Sequence, residues 1–251
     1  MKVIKDIKYS NSPECLLDIY LPDSDEFSVF VYFHGGGLVS RDKSDAKVLA
    51  EYLTQHNVAV VSADYRMYWD AKFPDFLEDA AACVSWVFAN MKDYGNCEKV
   101  YVGGSSAGGY ISMMLCFDKK YLSAHGLLPT DIAGYIHDAG QPTSHFNVLC
   151  EQKIDPRRVI IDETAPIYYV GTEESYSNMV FIISDNDMEG RFEQTMLMEA
   201  TLKHFGHSVD MKHMHGSHCE YVEKINDVGN SILGEIIYSY IEAWENIEDK
   251  K

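Results

Sequence analysis

A serine set between glycines, a histidine leading three glycines, and a late group of histidines and aspartates are the residues of this chain whose types and spacing suit chemistry. The serine lies in Gly104-Ser105-Ser106-Ala107-Gly108, after the apolar run Val100-Tyr101-Val102 and before the helix-like run from Tyr110 to Leu115. Ser106 at the centre of this G-x-S-x-G pattern reads as a nucleophile on a strained strand-to-helix turn, with glycines where a Cβ would clash. Taken alone, the pentapeptide also fits an ordinary loop. About seventy residues upstream, His34-Gly35-Gly36-Gly37 follows the apolar run from Val29 to Phe33. A glycine run at a strand end turns the backbone sharply and aims N–H groups into a cleft. The amides of Gly36 and Gly37, joined by that of Ala107, suit an oxyanion hole, with Gly35 shaping the turn. A serine facing such donors is the equipment of acyl transfer through a covalent intermediate.

That serine needs a base, and the order nucleophile, carboxylate, histidine confines the search to the chain after Ser106. Five histidines cluster late: His204, His207, His213, His215 and His218. His204 and His207 end a predicted helix and read as solvent-facing. His213 and His215, two apart on a predicted strand, share one face, which suits a metal site or a packed structural pair; structure is the preferred reading and no metal is expected. Gly216-Ser217 ends that strand and leaves His218 on the loop before the last helix, as general base, with His215 the alternative. For the acid, Asp185-Asn186-Asp187 follows the apolar run from Val180 to Ser184 and offers two candidates.

These motifs occur in order with a further set: the run from Val58 to Ala63 leading into Asp64-Tyr65-Arg66, then Phe73-Pro74 and Leu77-Glu78-Asp79-Ala80. Together they resemble the hormone-sensitive-lipase-like esterase branch of the α/β-hydrolase superfamily, from about Val29 to Tyr221. The resemblance implies that Asp187, followed by Met188, is the acid and that Asp185 caps its loop. It likens Gly216-Ser217-His218-Cys219-Glu220-Tyr221 to the family's histidine loop. It places Asp64, Tyr65, Arg66 and Asp79 in a supporting hydrogen-bonded network. The segment from Ala139 to Phe146, with Tyr168, Tyr169 and Tyr176, takes the place of an inserted lid at about 139–176, where it would line an acyl or alcohol pocket. Because the glycine run begins at His34, little N-terminal sequence is left for a cap, which implies a more open cleft.

The activity so implied is hydrolysis of small or short-acyl carboxylic esters, with no cofactor. Arylformamidase or other small-amide hydrolysis, and acetylated-sugar or feruloyl esterase activity, are the enzymatic alternatives. A ligand receptor without catalysis is the alternative from another class, since the plant gibberellin receptors resemble this family. It requires a missing triad member, whereas Ser106, Asp187 and His218 are all present.

The elements that must position these residues alternate. Strands are predicted at 3–9, 15–21, 28–33, 58–63, 98–102, 132–137, 179–184 and 208–214, and helices at 44–56, 75–91, from Ala107, at 191–205 and at 220–246. Such alternation predicts an α/β-hydrolase fold: a mostly parallel central sheet flanked by helices, with functional loops at the strand ends. Length and the lack of repeats or Pro/Ser-rich linkers suggest one domain over 1–251. A formal net charge of −18 argues against nucleic acid, whose phosphates need clustered Lys and Arg. The first residues lack a signal-peptide core and no run is long enough to span a bilayer, so a cytoplasmic protein without a membrane partner is expected. Six scattered cysteines without a C-x-x-C pair read as mostly reduced core residues.

Overall fold

The computed structural model of the chain describes residues 1–248. Among the described residues, eight strands form one sheet: β1 (Lys2–Lys8), β2 (Leu16–Leu21), β3 (Glu26–Phe33), β4 (Val58–Ala63), β5 (Asn96–Ser105), β6 (Gly134–Asp138), β7 (Asn178–Asn186) and β8 (Asp210–Ser217). Their order is β1-β2-β4-β3-β5-β6-β7-β8, antiparallel where β2 meets β1 and β4 and parallel from β4 to β8. The central strands read as unbroken apolar runs because both faces are covered. Along β3, Val29, Val31 and Phe33 join the core on one face, while Phe30 and Tyr32 join the core on the other.

Helices α1 (Lys47–Leu53) and α7 (Ile232–Glu248) cover the second face through Leu49, Leu53, Ile237 and Trp244. The first face is covered by α2 (Asp75–Asn90), α3 (Ala107–Phe117), the short α4 (Lys120–Ser123) and α6 (Arg191–His204). Helix α5 (Phe146–Glu151) lies in the connection between β6 and β7. The chain leaves β3 for β4 and returns to β5 on β3's other side. The carboxyl ends of β3 and β5 therefore flank the point where the winding reverses, the place where sheets of this kind hold their ligands.

The predicted helix at 220–246 starts too early. Residues 218–231 form a loop, and α7 begins at Ile232. Turn chemistry decides the difference. The Asn226 side chain accepts from the Val228 and Asn230 amides, Gly229 adopts a φ of 89°, and Ser231 Oγ accepts from the Gly234 amide at the helix start. His213 and His215 do not form a packed core pair: both stand exposed on β8, the edge strand, which has no neighbour on its outer side. All six cysteines are free; Cys15, Cys83 and Cys116 are buried, and Cys150 is exposed. Among the described residues, no helix is long and apolar enough to cross a membrane.

Candidate active site

Ser106 sits between β5 and α3 with φ 55° and ψ −111°, outside the regions that L residues favour. Such a conformation costs of order 1–3 kcal/mol and persists only where its surroundings fix it. Here the Ser106 amide donates to Asp138 O at 2.8 Å and the Tyr110 amide donates to Ser106 O at 3.0 Å. The turn also packs tightly on the end of β3: a Cβ on Gly108 would fall 1.8 Å from Phe33 O. Ala107 is the first residue of α3, so its amide belongs to the helix turn that has no intrahelical acceptor.

From β3 the chain enters His34-Gly35-Gly36-Gly37. At Gly36 the φ is 97°, and a Cβ there would lie 2.0 Å from Ser40 O, so both the conformation and the space demand glycine. The run is held from below. Tyr65 donates its hydroxyl to His34 O at 2.8 Å, and its ring stacks on the His34 imidazole at 4.5 Å between centroids. Burial lowers the His34 pKa, so the ring is neutral and Nδ1–H can donate to Gly35 O at 2.8 Å. The same support continues through Arg66, whose Nε and Nη2 donate to the two Asp79 oxygens at 2.8 Å each, and through Asp64, which accepts from the Lys43 amide. Gly37 O accepts from Asn147 Nδ2, which ties the glycine run to α5.

The three residues singled out in sequence meet at this point. His218 Nε2 lies 2.8 Å from Ser106 Oγ, and His218 Nδ1 lies 2.6 Å from Asp187 Oδ1. Asp187 follows the end of β7 and its side chain is fully buried, while His218 remains partly open to the cleft. Asp185 and His215 make a second pair at 2.7 Å, but the His215 ring is fully exposed and does not line the cleft. Asp185 also accepts from the Gly216 amide, and the hydrogen bond from His215 holds its carboxyl below the usual range. It caps the histidine loop.

Gly36, Gly37, Ser106, Phe146, Met188 and His218 all line a cleft of about 580 Å³. Tyr168, Tyr169 and Tyr176, placed at a pocket wall by the sequence reading, do not line it. Tyr176 packs on Phe117 and His207, and Tyr169 donates to Glu163 O, because the segment folds back over α3 instead of over the cleft. Beyond Phe146 and Met188 lies a second cavity of about 520 Å³, which these two residues also line, together with Gln141, Arg158 and Val159. They are the partition between the two spaces.

Beside the triad, two buried ionisable residues escaped the sequence reading. Arg191 is only 4% exposed and donates to Ala139 O at 2.5 Å and Gln141 Oε1 at 3.3 Å, with the Asp187 charge nearby opposing the effect of its burial. Asp138, at the end of β6, accepts from Ser105 Oγ at 2.5 Å and from the Tyr221 hydroxyl. Burial raises its pKa to about 6 against those two hydrogen bonds. The one available signal was a carboxylate closing a buried strand, Gly134–Asp138, at the sheet end that carries Ser106. A pKa raised in the folded state means that the protonated form favours folding. This contribution is complete below the unfolded value near 4 and is lost as pH rises through about 6. Asp138→Asn should remove that dependence, which amounts to about 3 kcal/mol across the interval. Urea unfolding of both proteins from pH 4 to 7 checks this, and an unchanged slope would contradict it.

The sequence model of the BD-FAE family matches residues 17–152, more than half of the chain. The chain belongs to the BD-FAE family. Among curated relatives, isoprenylcysteine alpha-carbonyl methylesterase ICME of Arabidopsis thaliana is 29% identical over 114 residues, covering 44% of this chain and 27% of that protein. Esterase LipI of Mycobacterium tuberculosis is 34% identical over 96 residues, covering 38% and 30%. The chain thus spans about a third or less of the length of these relatives. Among solved structures, esterase B from Lactobacillus Rhamnosis superposes with a TM-score of 0.82 at 15% identity, over 99% of this chain and 87% of that one. A truncated carbohydrate esterase from gut microbiota superposes with a TM-score of 0.78 at 17% identity, over 96% of each. At such identities the likeness establishes the α/β-hydrolase fold.

Proposed function

We propose that this BD-FAE family member is a serine hydrolase of small or short-acyl carboxylic esters, working through an acyl-enzyme on Ser106. The observation that carries the reading is the line Ser106 Oγ, His218, Asp187, with separations of 2.8 and 2.6 Å at a strained turn. In this mechanism His218 Nε2 takes the hydroxyl proton as Ser106 Oγ attacks the ester carbonyl. Asp187 accepts the Nδ1–H bond, fixing the tautomer and stabilising the imidazolium without taking the proton. The Gly36, Gly37 and Ala107 amides receive the oxyanion. His218 then returns the proton to the leaving alcohol, and a water activated in the same way releases the acid. The esterases among the relatives and structural neighbours support the choice of esters.

Turnover of aryl esters from acetyl to octanoyl, set beside N-formyl aromatic amines, tests this. Esters, with the shorter acyl groups ahead, are the expected substrates; preference for the formyl amines would favour small-amide hydrolysis, and no turnover of either by folded protein would overturn the proposal. Exhaustive chelation is expected to leave ester turnover unchanged, since no step calls on a metal. Loss restored by zinc would point to metal-assisted hydrolysis instead.

The wall between the two cavities makes a separate prediction about chain length. Phe146→Ala joins the two spaces, so the ratio of octanoyl to acetyl kcat/KM should rise by about tenfold, the scale set by about two buried methylenes. An unchanged acyl profile would show that acyl chains take another path.

A further inference from the structure

Three parts of the site from distant stretches of chain converge on one buried residue, two of them directly and one through Ser105. Asp138 O accepts from the amide of Ser106. Asp138 Oδ2 accepts from Ser105 Oγ, the residue just before the nucleophile, and Oδ1 accepts from the hydroxyl of Tyr221, three residues after His218. Tyr32, at the end of β3, donates in turn to Ser105 Oγ at 3.0 Å. Every hydroxyl in the chain Tyr32, Ser105, Asp138, Tyr221 thus points its proton toward the carboxylate. An ionised carboxylate accepts both of its bonds without offering a donor. Protonation would force one hydroxyl to turn round. The other titratable groups whose charges act on Asp138 or respond to it are His218 and Cys219 on the histidine loop and Asp187 after β7, and Gly109 of α3 packs against the Asp138 carbonyl.

We propose that Asp138 is a positioning residue: its carboxylate clamps the nucleophile turn to the histidine loop and holds Ser106 and His218 at reacting distance. The inference rests on the hydrolase reading for its kinetic effect but not for its structural one. A fully buried carboxylate whose burial outweighs its two hydroxyl donors is unfavourable for the fold, and the clamp is what it supplies in return. It acts through Ser105 and Tyr221, since Asp138 is not among the cleft-lining residues. Near His218 its negative charge also favours the imidazolium that forms as Ser106 attacks.

The test compares wild type, Asp138→Asn and Tyr221→Phe. Asp138→Asn should lower kcat at pH 8 on the order of tenfold to a hundredfold with KM within about twofold, because misplacing the reacting pair affects the transition state and not ground-state binding. The fall in kcat as pH drops through about 6 should be shallower in this variant than in wild type. Tyr221→Phe, which deletes one hydroxyl and keeps the ring, should lower kcat in the same direction by about severalfold, less than Asp138→Asn because the carboxylate keeps its bond from Ser105. Both variants should speed amide hydrogen exchange over residues 217–223, a readout that needs no turnover. Unchanged kcat and unchanged exchange in both variants would overturn the clamp. If wild type hydrolyses no ester, the hydrolase reading fails and the exchange data alone decide whether the clamp stands.

Discussion

Ser106→Ala lowers kcat on an aryl acetate by on the order of a thousandfold or more, with folding unchanged. The loss follows from removing covalent catalysis while retaining the oxyanion donors and the cleft. The fold should tolerate the change, because Ser106 Oγ bonds to His218 and the turn is held by the backbone, through Ser106 N to Asp138 O and Tyr110 N to Ser106 O. Ser105→Ala is the control. Its hydroxyl lies beneath the turn, between Tyr32 and Asp138, and so it should retain activity within about tenfold, as a disturbed support. Steady-state kinetics with far-UV circular dichroism on both variants checks this. An active Ser106→Ala beside an inactive Ser105→Ala would place the nucleophile one residue earlier.

Asp187→Asn should cost on the order of thousands in kcat, whereas Asp185→Asn should stay within about tenfold. The asymmetry follows from burial and direction. Asp187 is fully enclosed and faces His218 Nδ1, so an amide there can turn its NH2 toward the ring. That selects the tautomer with its proton on Nε2, which cannot accept from Ser106. Asp185 is half exposed and holds His215, whose ring faces solvent, and the Gly216 amide. Its loss loosens a loop without reversing a tautomer. The corresponding histidine pair should rank the same way, with His218→Ala inactive and His215→Ala changed only modestly. The reverse ranking would move the charge pair to Asp185 and His215 while leaving a serine esterase intact.

Much of this arrangement was legible in sequence because its signals are local. Buried strands such as Val29–Phe33 and Val58–Ala63 are apolar but for Ser62, and the turns after β3 and β5 carry glycines, Gly36 and Gly108, whose Cβ positions are filled by neighbouring backbone. The sequence names Ser106, Asp187 and His218, and the fold brings these three to 2.8 and 2.6 Å. What escaped is non-local. The partners of Asp138 lie 33 and 83 residues away, and Arg191 reaches back 52 residues to Ala139. No periodicity marks such contacts. The over-long final helix has a different origin: a helix over 220–246 runs through Asn226, Gly229 and Ser231, whose side chains and backbone specify a turn and a cap. The tyrosines at 168, 169 and 176 show that aromatic residues in an inserted segment do not reveal which way that segment folds.

Reaction with a fluorophosphonate, followed by mass mapping of the adduct, tests Ser106 as the nucleophile. One adduct per chain is expected, on Ser106, formed at a rate that falls sharply in His218→Ala. No adduct on folded protein, or an adduct on Ser105, would contradict it.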